Sequence, residues 1–327
     1  MGNHKLIDSP MVSVSILTYQ HKKFIEKCLN SVLSQKTNFT FEIVIGEDES
    51  IDGTRELCLK YAKKHPDKIR LILRNRKQVI YIDGKPTGRY NFIENLRACR
   101  GKYIALCEGD DFWIDKYKLQ KQVDFLENNE DYVMTCHNSI VVNEKNEILS
   151  DSRLSKDRMI DFSSEELKEG RQIITNTMCF RNILSDFPQI FSRVPGGDTF
   201  LVALLGEFGK SKFQNEIENS AYRIHGGGLW NSKSNIDKLN ALSKSYLLMS
   251  KYFKSRKEQV PSKKLFGKYF NVERSIIDHN IQFKIKLKLF FRVLIVSKEC
   301  FIHSEYRKIL TINRFLLVRI VKSLSAN

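Results

Sequence analysis

The stretch YIALCEGDDFW, residues 103–113, runs five apolar or small residues into three carboxylates within four positions, then two aromatics. A continuous apolar run of that length reads as a strand buried on both faces, hence central in its sheet. Carboxylates packed so closely repel one another, so the cluster calls for a positive partner. Upstream, YNFIENLRACRGK predicts a helix stopped by Gly101, and IRLIL (69–73) a strand. Before them, Asp52 is placed to N-cap a helix through RELCLKYAKK that His65-Pro66 ends. FEIVI (41–45) and VSVSIL (12–17) read as strands. Between those two, Ile25, Cys28, Leu29, Val32 and Leu33 fall on one helical face. Downstream, a helix at 116–128 and the strand YVMTCH follow. The alternation predicts an α/β fold, a mostly parallel sheet with helices on both faces.

Such sheets bind ligands beyond the carboxyl ends of their strands. The acid clusters EDES (47–50) and EGDD (108–111) both follow strands, so both belong on one rim. Hard oxygen ligands there suit Mg²⁺ or Mn²⁺, which complete their shells with substrate phosphates. The plainer reading is a solvated turn whose acids cap a helix starting near Asp115. No G-x-G-x-x-G follows the first strand and no P-loop motif occurs, which argues against a dinucleotide or P-loop site.

The 327 residues are 42% hydrophobic and 28% charged, the composition of an ordinary soluble protein. No apolar run of signal-peptide length precedes Pro10, and no uncharged apolar stretch is long enough to span a bilayer. Seven scattered cysteines without a CxxC point to reduced thiols, a cytoplasmic location, and neither zinc nor a disulfide framework. The net charge of +16 is unevenly placed: residues 231–327 hold 21 Lys+Arg against 6 Asp+Glu, and the rest is nearly neutral. Two regions are therefore expected, a catalytic domain over 1–232 and a basic, mainly helical region over 233–327.

The succession VSVSILTYQH, SVLSQ, IVIGEDESIDGT, RGKYIALCEGDDFW resembles the family 2 glycosyltransferases, inverting enzymes of the GT-A fold that use nucleotide-diphosphate sugars. The resemblance covers roughly residues 11–230. It implies that Thr18, Tyr19 and Asp48 hold the nucleotide base and ribose. It also implies that Glu108-Gly109-Asp110, with Asp111 beside it, is the D-x-D element binding ribose and a Mn²⁺ or Mg²⁺ ion. The first acid departs from that pattern, being Glu108, which leaves ribose and metal both open to it and makes Asp110 the metal ligand.

VPGGDTFLVALLGEFG resembles the family segment that supplies the catalytic base, here Asp198, followed by the apolar face Leu201, Leu204, Leu205. Asp198 also suits a plain N-cap. AYRIHGGGLW resembles the segment whose histidine, here His225, reaches the metal, while Arg223 is placed to neutralise diphosphate. The only tryptophans, Trp113 and Trp230, adjoin these motifs; stacking on a sugar and packing in the core suit them equally. Asn91 and Asn95 fit either nucleotide contact or surface polarity, and NTMCFR (176–181) lies where the family tends to face its acceptor. The other histidines, His4, His21, His65, His137, His279 and His303, show no partner spacing.

The expected activity is thus sugar transfer from a nucleotide-diphosphate sugar, a UDP-sugar first, to a glycan or lipid-linked glycan of bacterial surface polysaccharide. In residues 283–324, Ile302, Tyr306, Ile309, Leu316, Leu317, Ile320 and Leu324 share one helical face, with Arg307, Lys308, Arg314, Arg319 and Lys322 around its flanks. That pattern fits a helix lying on an anionic membrane surface, making the protein peripheral at the cytoplasmic face. A helical subdomain or an oligomer contact is the alternative. Nucleic-acid binding would explain the charge, but no helix-turn-helix, RRM or zinc pattern occurs. A sugar-phosphate nucleotidyltransferase would need a glycine-rich loop after the first strand, where TYQHKK has none.

Overall fold

The structure, a computed structural model, describes residues 9–228, 230 and 232–278. The chain divides into two compact units, with the break between Ser232 and Lys233.

In the first unit, β1 (Val12–Thr18), α1 (Ile25–Leu33), β2 (Phe41–Glu47), α2 (Thr54–Lys64) and β3 (Ile69–Leu73) follow one another. A small hairpin, β4 (Ile80–Ile82) and β5 (Lys85–Thr87), leads into α3 (Arg89–Ala98) and β6 (Tyr103–Glu108). Then come α4 (Lys118–Asn128), β7 (Tyr132–Cys136), β8 (Ser139–Val142), β9 (Ile148–Ser150) and α5 (Ser164–Lys168). The unit closes with β10 (Cys179–Arg181), α6 (Gly197–Leu205), β11 (Lys210–Phe213) and β12 (Ser220–Arg223).

The main sheet has seven strands in the order β11-β7-β10-β6-β1-β2-β3, so the apolar run at 103–108 is the central strand, as its composition predicts. β1, β2, β3 and β6 are parallel, whereas β10 runs antiparallel between β6 and β7. The alternation in VSVSIL separates two buried faces rather than core from water. Val12, Val14 and Ile16 pack with Ile25, Cys28 and Leu29 of α1 and Cys58 of α2. Ser13 and Ser15, equally buried, face hydrogen-bond partners: Ser13 Oγ donates to Glu42 (2.6 Å), and Asn95 Nδ2 donates to Ser15 Oγ (2.8 Å). Each fully buried Leu or Ile on the apolar face contributes about 1.5–3 kcal/mol.

Two expected boundaries move. α2 is N-capped by Gly53 at φ 101°, and Asp52 acts one residue earlier, accepting from the Thr54 amide (3.0 Å) and the Lys22 amide (3.0 Å). α3 ends at Ala98 with Cys99 as its C-cap, so Gly101 does not stop it. Gly101 instead opens β6 by donating its amide to Ser13 Oγ (2.8 Å).

The second unit contains α7 (Asn235–Ser255) and α8 (Gln259–Asp278), which pack on each other through Met249, Phe253, Leu265, Tyr269 and Phe270. Ser250 Oγ donates to the Ser262 carbonyl (2.8 Å) across that pair. The interleaved apolar and basic face expected over 302–324 lies outside the described residues. Among the described residues, no helix is long and apolar enough to cross a membrane.

Candidate active site

Strand register brings both acid clusters to one rim: Thr18 at the end of β1 pairs with Glu47, and Leu17 pairs with Glu108. The EGDD turn closes tightly over β1, because a Cβ on Gly109 would stand 2.7 Å from Thr18 Oγ1. Glycine is required there by close approach. Thr18 is consequently buried beneath the turn, with its hydroxyl 3.4 Å from His21 Nδ1.

On one side of the rim, Tyr19 and Asp48 meet at Arg76. The Arg76 guanidinium lies 4.1 Å above the Tyr19 ring, and its Nη1 donates to Asp48 Oδ2 (2.7 Å). Burial raises the pKa of Asp48, and the Arg76 charge opposes that rise. An aromatic plane, a cation and a carboxylate in contact form a set able to stack on and hydrogen-bond a nucleobase or ribose. Arg76, in a short 3₁₀ turn after β3, was invisible to motif reading. Glu47 is turned inward to Arg55 and to the Ser50 amide, so it supports the rim from below.

At the centre, His225 Nε2 stands 2.9 Å from Asp110 Oδ2, and His21 Nε2 stands 3.8 Å from the same oxygen. Burial pushes Asp110 up, but the His225 hydrogen bond and the fields of His21 and His225 outweigh it and hold the carboxyl below its ordinary value. Next to it, Glu108 Oε2 is buried with no hydrogen-bond partner. Burial, then the Asp110 charge, pushes Glu108 up to about 8, and Asp198 adds to the rise. A buried carboxyl oxygen left without a partner is costly unless a ligand or ion completes it. Two imidazoles and a carboxylate, with ligand atoms within 4.8 Å of one another, suit a divalent first-row ion that keeps open positions for oxygen ligands. The residues present therefore fit the expected ion. His21 was missed in the sequence because it sits beside no second histidine and no acid of its own segment.

On the other side, Asp198 is exposed in the first turn of α6, where Gly196 and not Asp198 is the N-cap. Its Oδ1 accepts only from the next amide, Thr199 (2.8 Å), among the bonds the described residues make. Beneath it the buried Arg89 guanidinium donates to the carbonyls of Val194 (2.9 Å) and Pro195 (3.1 Å). Burial pushes Arg89 down to about 10, and Asp198 opposes that shift. The same guanidinium fills the space a side chain at residue 197 would need: a Cβ on Gly197 would stand 1.2 Å from Arg89 Nη1. Gly197, the residue before Asp198, is thus fixed by Arg89, which no motif pointed to.

Other expected site residues turn away from the rim. Asp111 is buried, accepting from the Arg223 amide (2.8 Å) and Asn176 Nδ2 (2.8 Å), so it ties the turn to the core instead of facing a donor. Arg223 is 2% exposed. Its guanidinium donates to the Asp110 carbonyl (2.7 Å), the Asn143 carbonyl (2.7 Å) and Asn146 Oδ1 (2.9 Å), which leaves it braced against protein acceptors. Trp113 is a core residue, its indole N–H donating to the Asn176 carbonyl (2.8 Å), whereas Trp230 is exposed. Asn91 and Asn95 are neither surface residues nor ligands. They are buried, donating to the Gly46 carbonyl (2.7 Å) and the Val44 carbonyl (3.0 Å) of β2. In NTMCFR, Asn176 is enclosed by these contacts and 179–181 forms β10.

Comparison with known proteins bears on the family and the fold. Residues 13–187 match the family described as "Glycosyl transferase family 2". The chain is 31% identical over 224 residues to the Mycobacterium tuberculosis protein Rv1520, covering 68% of this chain and 61% of that one. It is 32% identical over 117 residues to the "Putative teichuronic acid biosynthesis glycosyltransferase TuaG" of Bacillus subtilis, covering 36% of this chain and 42% of that one. The chain thus spans less than two thirds of these relatives' length. Among solved structures, S. aureus TarS 1-349 superposes with a TM-score of 0.58 at 15% identity, covering 86% of this chain and 78% of that one. The mannosyltransferase PcManGT from Pyrobaculum calidifontis, in complex with GDP-Man and Mn²⁺, superposes with a TM-score of 0.51 at 15% identity, covering 96% and 87%. At that identity the likeness establishes the fold, which is GT-A.

Proposed function

The chain belongs to glycosyl transferase family 2, and from that premise we propose that it moves a sugar from a nucleotide-diphosphate donor to a glycan hydroxyl, with inversion and with a divalent ion. The observation that carries this reading is the Asp110–His225 pair, 2.9 Å apart on the rim, with the partnerless Glu108 oxygen beside it. Asp110 and His225 hold the ion. When bound, the ion offsets the charge that develops on the leaving diphosphate. Tyr19, Asp48 and Arg76 take the base and ribose. Glu108, whose Oε2 has no partner in the protein, is left to hydrogen-bond the donor. Asp198, exposed at the start of α6, removes the proton from the acceptor hydroxyl as that oxygen bonds to the anomeric carbon. The bond from the anomeric carbon to the diphosphate oxygen breaks, and its electron pair leaves with the nucleoside diphosphate.

The donor is a UDP-sugar in the first place, supported by a UDP-GlcNAc complex of TarS, while the GDP-Man complex of PcManGT makes a GDP-sugar the next to test. The acceptor is a glycan or lipid-linked glycan of the cell envelope, a reading supported by the teichuronic acid role named for TuaG. The protein works at the cytoplasmic membrane face, held by the basic residues of 231–327. The test is a panel of UDP- and GDP-sugars with Mn²⁺, Mg²⁺ or EDTA, read by nucleoside-diphosphate release and by thermal shift. A donor at a hundred times its dissociation constant adds about 2.7 kcal/mol, which such a shift registers readily. Metal-dependent release with one donor is the expected result; no release and no shift with any of them overturns the proposal.

A further inference from the structure

We infer that His21 is a third protein ligand of the divalent ion, and that its imidazole sets the site to prefer Mn²⁺ over Mg²⁺; the inference rests on the metal-assisted reading above. His21 follows β1, and its backbone is fixed at both ends. Its amide donates to Thr54 Oγ1 (2.8 Å), and its carbonyl accepts from Phe24 (2.8 Å) and Ile25 (2.9 Å) as α1 begins. The ring is oriented as well. Nδ1 lies 3.4 Å from Thr18 Oγ1, which leaves Nε2 directed at Asp110 Oδ2, 3.8 Å away. His225 approaches the same oxygen from another direction, and the two rings meet edge to face with centroids 5.8 Å apart. His225 is held in its turn by the Gly227 amide on Nδ1 (3.3 Å).

Three ligand atoms within 4.8 Å of one another lie near enough for a bound ion to draw them into an octahedral shell. Bonds of about 2.1 Å place ligands at right angles about 3 Å apart and opposite ligands about 4 Å apart. At His21 the second nitrogen faces the Thr18 hydroxyl, which can accept its N–H, the usual support of a metal-bound imidazole. At His225 the Gly227 amide donates to Nδ1, a contact that ligation through Nε2 would have to release. An acid alone, or an acid with one histidine, leaves an oxygen-dominated shell that Mg²⁺ accepts. A second imidazole replaces a water that Mg²⁺ gives up reluctantly, and it favours an ion of the transition series. The remaining positions suit diphosphate oxygens and water, the ligands Mn²⁺ prefers.

The test measures the ion without a donor, on the full chain. Mn²⁺ affinity is read by electron paramagnetic resonance, Mg²⁺ affinity by competition, and the number of bound imidazoles by pulsed resonance on protein carrying ¹⁵N-histidine. Wild type is expected to show two imidazole couplings and a marked Mn²⁺ preference. His21→Gln should leave one coupling and weaken Mn²⁺ by at least the roughly 10-fold that loss of even an outer partner of a metal site produces. Mg²⁺ should change much less, so the ratio falls. His21→Asp supplies an oxygen in place of the nitrogen and should keep the ion while shifting the ratio toward Mg²⁺. Two couplings and unchanged Mn²⁺ affinity in His21→Gln, with Asp110→Asn still losing the ion, overturn the role of His21 and leave the metal reading standing. Should His21→Gln not fold, an unchanged ratio in His21→Asp overturns it. No Mn²⁺ binding by wild type overturns both readings.

Discussion

Asp110 and Asp111 are chain neighbours with opposite roles, and substitution should separate them. Asp110→Asn removes the carboxylate that both histidines face and relieves repulsion on Glu108 and Asp111. Its fold should stay as stable as wild type or gain slightly, while Mn²⁺-dependent nucleotide affinity in a calorimetric titration falls by about 100-fold, the upper end of what loss of an outer partner of a metal site produces. Asp111→Asn does the reverse. Its carboxylate accepts from two buried donors, and an amide offers one acceptor while turning an N–H toward the other, at a cost of about 1–3 kcal/mol in urea unfolding. Equal stabilities for the two variants would refute the division. Asp198→Asn should hold donor affinity within a few fold yet lower kcat by roughly 10²-fold or more, the worth of a general base. Collapse of donor affinity instead would make Asp198 a binding residue. The EGDD run announced the rim, because three acids after a buried strand are visible in any sequence. That Asp111 turns into the core was not visible, since a turn closed over Thr18 follows no strand alternation. His21 and Arg76 were hidden for a related reason: each acts on a residue of another segment.

The elements followed their periods closely, because apolar spacing at 2 or 3.6 reflects burial directly. The errors came where polar groups are buried. Asn91 and Asn95 resemble surface polarity on α3, yet they pin it to carbonyls of β2, and such pairing leaves no trace in a hydrophobic pattern. The start of α6 shows how a remote element fixes the backbone that carries Asp198. Arg89, at the first position of α3, fills the volume under Gly197, so Gly197→Ala must displace a buried guanidinium or shift the backbone that carries Asp198. Overpacking of that kind costs about 1–3 kcal/mol. We expect Gly197→Ala to lose that much stability and most of its turnover, while donor affinity changes little because Tyr19, Asp48 and Arg76 stand on other elements. A variant with wild-type kcat would show that α6 does not position the base.

At the scale of the molecule, two charge distributions set the response to solution conditions. The first is buried. Burial pushes the thiols of Cys58, Cys99, Cys136 and Cys179 up to about 12 from an ordinary 9, and pushes Lys118 down to about 8 from 10.5. A group raised in the fold gives stability that is complete below its unfolded pKa and lost as pH climbs toward the folded one. The four thiols therefore withdraw stability between pH 9 and 12, whereas Lys118 returns some between pH 8 and 10.5. At about 1.4 kcal/mol per group and pH unit, the thiols outweigh the lysine, and unfolding free energy should fall steeply above pH 9. A level urea-unfolding profile from pH 8.5 to 10.5 would contradict this. The second distribution is at the surface. Residues 231–327 carry 21 Lys+Arg against 6 Asp+Glu, interleaved with apolar residues over 283–324, while the catalytic domain is nearly neutral. A donor site needs no such field, but an enzyme whose acceptor is lipid-linked gains from one, since each cation near an anionic bilayer is worth about 1 kcal/mol. The full chain should pellet with vesicles containing phosphatidylglycerol at low salt, and less with neutral vesicles. Replacing Arg307, Lys308, Arg314, Arg319 and Lys322 by Gln should release it while donor hydrolysis continues, because every rim residue lies before residue 231. Full-length protein that stays in solution with the anionic vesicles would assign the charge to a glycan or protein partner.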